Sequence, residues 1–556
     1  MRFFDRNTWF WLGIGALFFL PFLGGVHLFD WDEINFAELA REMTVSGDWL
    51  RLQINFERFT EKPPLFFWLQ ALAMSAIGVG EYAARLPNAL LGMVVLPFLY
   101  LTGKFLLDRK FGFLWALSWF GSILPFLYFK SGIIDPFFNF FIFNGLLFSI
   151  LYCWKKKPVN DLYFSRPAGL YLFLAGLFIG LAILTKGPVA YLLLVLTLFF
   201  FGLFQGWRNT LSISSLLRMS FLALAVFLLW FGVDWAFNGP DFLIEFTIRQ
   251  WELLTRNDAG HGGFPGYHFV VLLFGCFPAS IFALRGLGRL DGIRPHVQEF
   301  QRWMITLLLV VLVLFSLVNT KIVHYSSMAY YPLTFLCALS LWHYTEFPRR
   351  YPRWISFSLL FVGLIALVLS FLLPWAGMHG EEIKGLFAQD PFAQANLEAE
   401  VHWSVWDFMP GIILVAVLGL FFTFVGKFPA FAFRVLFFGM ALWCMSFLIH
   451  FIGKIEAVSQ RAAVEFFTAQ AGKEVYVTTY GYKSYVPWFY AKVEDYPHEQ
   501  AAEKEWLFHG ATDRDVYIST KINRAERLEK ELPDAEFLYA KNGFYFYRRK
   551  GAVGRK

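Results

Sequence analysis

The chain has 556 residues, of which 57% are hydrophobic, 21% aromatic and only 16% charged. This composition excludes an ordinary soluble globular protein and indicates a polytopic α-helical membrane protein. The net charge of +6 does not indicate a nucleic-acid partner, because the basic residues lie mainly in short segments between apolar runs.

Thirteen apolar runs are long enough to be predicted as membrane-spanning helices. They begin near Trp9, Arg85, Phe111, Pro136, Gly169, Pro188, Leu216, Tyr267, Trp303, Ser327, Trp354, Phe408 and Phe431. A further apolar stretch, from Pro64 to Ile77, would reach only about 21 Å as a helix, against roughly 30 Å of hydrocarbon. We expect that helix to lie at the membrane interface.

Basic residues occupy alternate segments between these runs, including 2–6, 104–110, 155–157, 285–302 and 349–353. The positive-inside rule predicts that these segments and the N-terminus are cytoplasmic. The opposite, outer face then receives the long first loop, the turns near Asp135, Lys186 and Lys321, and the C-terminal region. Every chemically rich segment is therefore predicted on one face.

Two domains are predicted. Residues 1–452 form the membrane domain, whose first outer loop covers residues 30–84, and residues 453–556 form a soluble α/β domain. Alternating apolar patterns from Glu474, Arg514 and Ala535 predict strands, and the segments from Ser459 and Asn523 predict helices. The sequence indicates structural support or acceptor access as the role of this small domain. The four cysteines all lie in apolar runs, so we expect no disulfide and no thiolate metal site.

The first loop carries two charged clusters. Asp32 and Glu33 precede a predicted helix, "EINFAELAREM", and Glu61 and Lys62 precede the interfacial helix. Asp32 is expected either to cap its helix or to act in catalysis. Lys62 would suit either phospholipid headgroups or a specific lipid phosphate.

A third carboxylate, Asp135, lies at the mouth of a span in "GIIDPFFNFF". Ionisable groups at such depth usually mark pathways or sites. The following Pro136 equally favours Asp135 as a helix N-cap. Both interpretations remain open from the residues alone.

Together these strings resemble the GT-C glycosyltransferases, above all the aminoarabinose lipid A transferases and, more distantly, the protein O-mannosyltransferases. The shared pattern is an Asp-Glu pair after the first span, a Glu-Lys-Pro string about thirty residues later, and an aspartate in the second outer loop. "LTKGPVAYLL" from Leu184 and "HGGFPGYHFVV" from His261 are also similar. The resemblance implies an enzyme that takes a sugar from a polyprenyl phosphate at the outer face of the bacterial inner membrane.

The resemblance also implies roles for individual residues. Asp32 and Asp135 match the catalytic aspartates of the family, and Glu61 with Lys62 matches the pair near the donor phosphate. Where the aminoarabinose enzymes have an arginine three residues after the first aspartate, this chain has Asn35. Three lysines are expected to supply the positive charge of the missing arginine: Lys321, Lys186 and Lys130. Three further side chains complete the predicted site: Glu33, His324 and Tyr325.

A divalent metal is a further expectation. The resemblance offers Glu61 and His261 as candidate ligands, and oxygen and nitrogen donors suit zinc. Their spacing is not that of a metal motif.

The leading hypothesis is an inverting transferase that moves a sugar from undecaprenyl phosphate to a lipid-linked acceptor such as lipid A. Lys62 would stabilise charge on the departing phosphate, while Asp32 would deprotonate a hydroxyl or orient a phosphate nucleophile. The alternatives are a protein O-glycosyltransferase and a transporter or flippase of a polyprenyl-linked or anionic solute. The expected partners are the sugar donor, the envelope acceptor and membrane lipid, with no nucleic acid.

Overall fold

The computed structural model describes residues 4–157, 162, 164, 166–255, 262–347, 352–496 and 498–552. The part before the C-terminal region is built from helices, with one short hairpin in the first loop. In chain order these elements are α1 Arg6–Phe19, α2 Asp32–Ser46, β1 Gln53–Ile54, β2 Glu57–Arg58, α3 Leu65–Ile77, α4 Glu81–Leu106, α5 Arg109–Phe120, α6 Ile123–Leu127, α7 Asp135–Lys156, α8 Ala168–Lys186, α9 Val189–Gln205, α10 Ile213–Asn238, α11 Asp241–Thr255, α12 Tyr267–Gly275, α13 Ala279–Gly286, α14 Pro295–Leu317, α15 Tyr330–Glu346, α16 Arg353–Met378, α17 Gly380–Ile383, α18 Pro391–Asn396, α19 Met409–Phe424 and α20 Pro429–Phe447.

Within the described residues, eight helical segments are long and apolar enough to cross a membrane, and two bent pairs raise the number to ten. The bends lie between α5 and α6, at 80°, and between α12 and α13, at 111°. The polytopic helical fold is therefore confirmed. The predicted number of thirteen is larger because α1, α9 and α15 have only 14, 17 and 17 residues. The α3 helix has 13 residues, in keeping with the prediction that it does not span.

Basic segments that were predicted to share one face do lie together. The Lys104 ammonium is 2.9 Å from Asp5, and the Lys110 ammonium is 2.6 Å from Glu346. These contacts join the start of α1, the junction of α4 with α5, and the end of α15. Because α4 has 26 residues and is about 39 Å long, its first turn lies at the opposite end, beside the first loop.

The C-terminal region is a small α/β unit, as predicted. Its elements are α21 Gly453–Ser459, α22 Arg461–Thr468, β3 Tyr476–Thr479, α23 Val486–Ala491, α24 Lys504–His509, β4 Val516–Lys521, α25 Ile522–Glu531, β5 Ala535–Lys541 and β6 Phe544–Arg549. The strand order is β3-β4-β6-β5, with β3 and β4 parallel and the other pairs antiparallel. Asn542 and Gly543 both have positive φ, which suits a tight turn between β5 and β6.

The last membrane helix runs into this unit without a break. A π-helical turn, Leu448–Ile452, joins α20 to α21, so the predicted domain boundary at residue 453 falls inside one helical segment ending at Ser459.

The C-terminal unit packs directly on the first loop. One apolar cluster contains Ile34 and Phe36 of α2, Phe67 of α3, and Val464 and Phe489 of the C-terminal unit. Hydrogen bonds reinforce this packing: the Leu28 amide donates to the Tyr490 hydroxyl at 2.8 Å, and the Gln460 amide donates to the Leu28 carbonyl at 2.7 Å. The first loop is therefore held between the membrane helices and the C-terminal unit.

Candidate active site

A cavity of about 680 Å³ opens where the first loop, the starts of α7 and α9, the turn after α14 and the C-terminal unit meet. Eight of the eleven predicted site residues line it: Asp32, Glu33, Glu61, Lys62, Asp135, Lys186, His324 and Tyr325. The segments that carry them are far apart in sequence, so only the fold brings them together.

Asp32 and Asp135 each occupy the first turn of a helix. The residue at the N-cap of α2 is Trp31 and that of α7 is Ile134, and neither aspartate makes a side-chain cap. The capping hypothesis is therefore wrong for both residues, because each helix begins at the aspartate itself. The Asp32 side chain is 43% exposed and its Oδ2 lies 3.9 Å from His324 Nε2.

Glu33 holds the first loop to the membrane helices. Its carboxylate accepts hydrogen bonds from the Arg85 guanidinium at 3.0 and 2.8 Å, from the Phe29 amide at 3.0 Å and from the Gly132 amide at 2.6 Å. Burial alone would raise the pKa of Glu33, but the Arg85 charge and these donors lower it below its usual value. Glu33 is therefore an ionised, fully bonded carboxylate at the base of the site.

The same carboxylate also fixes the second outer loop. Gly132 precedes Asp135 by three residues, and Asn88 donates to the Ser131 and Ile133 carbonyls at 2.7 and 2.6 Å. The loop that carries Asp135 is thus tied both to α4 and to Glu33. The positions of Asp32 and Asp135 are coupled through one buried ion pair.

Lys186 and Asp135 form the closest ion pair in the cavity. The ammonium of Lys186, at the end of α8, donates to Asp135 Oδ1 at 2.6 Å. It also lies 5.7 Å from the Phe138 ring centroid and 5.6 Å from that of Tyr325. Gly187, with φ of 104°, ends the helix immediately after this lysine.

Lys62 lies in an environment that disfavours its positive charge. Burial lowers its pKa, the nearby Lys186 and Arg249 charges lower it further, and Glu61 and Asp32 only partly oppose them. The Lys62 ammonium donates to the Glu61 carbonyl at 3.4 Å. A dianionic group bound here would stabilise the charged form of this lysine.

Lys321 does not line the cavity. Its ammonium donates to the carbonyls of Phe315, Ser316 and Val318 at the C-terminal end of α14. Lys130 likewise donates to the Phe19 and Pro21 carbonyls at the end of α1. Both cations satisfy helix C-termini, so the expectation that they replace the missing arginine does not fit this structure.

The lining residues that were not predicted as site residues include Arg249, Lys483 and Asn35. Arg249 belongs to α11 and lies 3.9 Å from Glu61. Lys483 comes from the C-terminal unit and lies 4.9 Å from the Trp31 ring centroid. Asn35 is 4% exposed, and its Oδ1 has no hydrogen-bond partner within the described part of the chain.

The predicted zinc site stays a prediction, because only one of its two candidate ligands, Glu61, lies among the described residues. Among residues 4–157, 162, 164, 166–255, 262–347, 352–496 and 498–552, there is no group of three His, Cys, Asp or Glu side chains able to hold a metal. Glu61 pairs instead with the Arg249 guanidinium, a cation that opposes metal binding. The other candidate ligand, His261, lies outside the described residues.

We predict that Glu33→Gln lowers the free energy of unfolding by about 3–5 kcal/mol, because it leaves the buried Arg85 guanidinium without its counter-charge. Thermal or denaturant unfolding of the full chain in detergent measures this change. Glu57→Gln, an exchange at an exposed position of the same loop, is the matched control and should change stability by less than about 0.5 kcal/mol. Equal effects of the two exchanges would contradict the role assigned to Glu33.

The chain is similar to known proteins over most of its length. Residues 25–249 match the family model described as dolichyl-phosphate-mannose-protein mannosyltransferase. The undecaprenyl phosphate-alpha-4-amino-4-deoxy-L-arabinose arabinosyl transferase of Shewanella sediminis is 28% identical over 330 residues, which is 58% of this chain and 57% of that protein. The protein of the same name from Pseudomonas paraeruginosa is 27% identical over 401 residues, 70% of this chain and 68% of that protein.

The fold agrees with these relationships. The structure matches the crystal structure of ArnT from Cupriavidus metallidurans bound to undecaprenyl phosphate with a TM-score of 0.73, covering 99% of both chains at 18% sequence identity. The chain is therefore a multi-pass membrane protein that is similar to the aminoarabinose transferases in sequence and shares the fold of ArnT.

Proposed function

We propose that the chain transfers a sugar from a polyprenyl-phosphate donor of the undecaprenyl type to a lipid-linked acceptor such as lipid A, with inversion at the anomeric carbon. One observation carries this proposal: a single cavity holds a partly exposed carboxylate, Asp32, together with the cations Lys62, Lys186 and Arg249. A transfer reaction needs cations for the departing phosphate and a carboxylate for the nucleophile. The names of the similar transferases support the same donor chemistry.

The walls of the cavity suit a lipid phosphate. Its polar rim is continued by an apolar surface from Pro188, Val189, Leu192 and Leu193 at the start of α9, and by Phe315. A polyprenyl chain would lie against this surface while its phosphate meets the cations. Such a donor would enter the cavity from the lipid bilayer.

The reaction is a single displacement. The nucleophile attacks the anomeric carbon, the bond from that carbon to the phosphate oxygen breaks, and the polyprenyl phosphate leaves with the electron pair. Lys62 stabilises the charge that develops on the phosphate, with Lys186 and Arg249 nearby. If the acceptor is a hydroxyl, Asp32 takes its proton, and if it is an already ionised phosphate, Asp32 orients it.

His324 supports Asp32 from the side. Burial lowers the pKa of His324, the Asp135 and Asp32 charges raise it, and Lys186 and Lys62 lower it, with a net lowering. The neutral imidazole lies 3.9 Å from Asp32 and leaves the charge of the carboxylate in place. No step of this mechanism passes through a metal, and zinc at Glu61 stays a prediction.

The proposal includes placement in the bacterial inner membrane, with the N-terminus in the cytoplasm and the C-terminal unit in the periplasm. Its support is the clustering of Lys104, Lys110 and their partners at the end of the helices opposite the cavity. The acceptor would then be reached from the periplasmic side.

A protein acceptor is the second candidate. The family model that matches residues 25–249, a region containing Asp32, Lys62, Asp135 and Arg249, is named for protein mannosyltransferases. The similarity to transferases favours either of these functions over the transporter alternative.

Asp32→Asn is expected to reduce transfer by about 10²–10⁴-fold, because the amide neither accepts a proton nor carries the charge that orients the nucleophile. Mass spectrometry of lipid A, from cells that express the wild type or this variant at matched levels, measures the loss of a sugar-sized mass. Asp48→Asn is the control, since Asp48 is exposed and its Oδ1, which the amide retains, caps the Leu50 and Arg51 amides.

Full transfer by Asp32→Asn would overturn the role of Asp32. An unchanged lipid A spectrum in wild-type cells, together with modified periplasmic protein, would favour the protein acceptor.

The lowered pKa of Lys62 predicts a pH dependence. A lysine whose pKa is lowered loses its charge at lower pH than an ordinary lysine. We therefore expect kcat/KM to be maximal while the pH is below the pKa of Lys62 and to fall as the pH rises through that pKa. Lys62→Arg, which stays protonated, should keep the plateau to higher pH even if its maximum is lower. Each pH profile of kcat/KM is normalised to its own plateau. If the normalised profiles of the wild type and Lys62→Arg coincide, the assignment of Lys62 is contradicted.

Lys321→Ala should leave donor affinity unchanged within about twofold, because the Lys321 ammonium is bonded to the carbonyls at the end of α14. Direct binding of undecaprenyl phosphate to the purified chain in detergent measures this, with Lys62→Ala as the variant expected to weaken binding about tenfold or more. A tenfold loss with Lys321→Ala would return Lys321 to the site.

A further inference from the structure

A second cavity, of about 670 Å³, lies in the C-terminal unit. It is formed by the segment that follows β3 and by one face of α25, which follows β4. Because β3 and β4 are parallel, their carboxyl ends meet at one edge of the sheet, where ligands commonly bind in α/β folds. The mechanism above makes no use of this cavity.

Its lining is strongly basic. Four cations, Lys483, Lys504, Arg524 and Arg527, face only one carboxylate, Glu531. That carboxylate is already engaged, since it accepts from Arg527 Nε at 2.7 Å and from the Tyr480 hydroxyl. Among the residues that the structure describes, no carboxylate lies within 4 Å of the Lys483, Lys504 or Arg524 charges.

The local structure holds these charges close together. Lys504 donates to the Thr479 carbonyl at 3.2 Å, which fixes it at the end of β3. Burial and the neighbouring Lys483 lower the pKa of Lys504. Gly481 has φ of 73°, and the Arg524 methylenes pack where a side chain at this position would project. The glycine therefore lets Arg524 lie across the turn into the cavity.

Lys483 connects this cavity to the candidate active site, because it lines both. Its ammonium is 4.9 Å from the Trp31 ring centroid and 5.4 Å from that of Tyr485. Trp31 immediately precedes Asp32. A ligand that spans the two cavities would therefore pass the Lys483 ammonium.

We propose that this basic cavity binds a phosphate group of the lipid acceptor, and so positions the acceptor for transfer at Asp32. Three cations that have no carboxylate within 4 Å among the described residues match a dianionic phosphate, and Arg524 offers the planar fork that binds phosphate oxygens in pairs. The proposal rests on the proposed transferase function and adds the feature by which the acceptor is recognised. It assigns a binding role to the C-terminal unit.

The test compares acceptors that differ by one phosphate. With the wild type, lipid A carrying two phosphates should have a KM about tenfold lower than lipid A carrying one. In Lys504→Gln/Arg524→Gln this difference should disappear, with kcat changed less than twofold, since neither residue lines the catalytic cavity. Lys530→Gln, on the exposed side of α25, should retain the full difference. An undiminished difference in the double variant would overturn the proposal.

Two further measurements separate the possible sources of the phosphate and guard against misfolding. The single variants Lys504→Gln and Arg524→Gln, with thermal unfolding matched to the wild type, should each reduce the KM difference about threefold. Activity is also measured in phosphatidylcholine vesicles with and without phosphatidylglycerol. The double variant could lose the stimulation by phosphatidylglycerol and still discriminate between the two acceptors. The phosphate bound in the basic cavity would then belong to a bilayer lipid, and its assignment to the acceptor would be wrong.

Direct binding separates failure of this proposal from failure of the transferase function. Equilibrium dialysis of inorganic phosphate against the full chain in detergent should show loss of one site in the double variant and no loss in Lys530→Gln. The wild type could transfer sugar to no acceptor while the double variant still loses one phosphate site. In that case the transferase function is wrong and the phosphate-binding role of the cavity is retained. Equal phosphate binding by the wild type and the double variant would overturn the cavity.

Discussion

The buried ion pair between Glu33 and Arg85 is the interaction on which the site depends. Glu33 belongs to the first loop and Arg85 to the N-terminal part of α4, and the Glu33 carboxylate also accepts from the Gly132 amide of the second outer loop. A buried carboxylate and guanidinium are costly to desolvate, so they persist only when every lone pair and donor is satisfied. Here that requirement fixes two loops to one helix, and Asp32 and Asp135 take their positions from it.

The charges inside the candidate active-site cavity are arranged in two sets. Asp135 is bound to Lys186 at 2.6 Å, whereas Asp32 remains partly exposed, with the His324 imidazole 3.9 Å away. Burial lowers the pKa of Lys62 and two nearby cations lower it further, so a bound anion would stabilise the charged form of this lysine. The same side-chain types therefore serve different purposes: one carboxylate holds a lysine in place, and the other is available to a reacting group.

The C-terminal unit contributes to the same cavity. Its apolar residues share a cluster with the first loop, and Lys483 enters the catalytic cavity beside Trp31. The last membrane helix continues without interruption into α21, so the unit is attached both by packing and by a helix. Such attachment places its basic cavity at a fixed distance from Asp32, which a flexible tether would not do.

The sequence by itself determined the membrane class, the positions of the helices, the α/β character of the C-terminal region and eight residues that share one cavity. It could do so because apolar runs, strand alternation and charged strings beside spans are local patterns. Only the tertiary structure decided that Lys321 and Lys130 bind helix-end carbonyls, that neither Asp32 nor Asp135 caps its helix, and that Arg249 and Lys483 enter the site. Those outcomes depend on which groups from distant segments meet in three dimensions, because a lysine ammonium or a carboxylate is satisfied by whichever partner the packing brings within hydrogen-bond reach, and no local pattern specifies that partner.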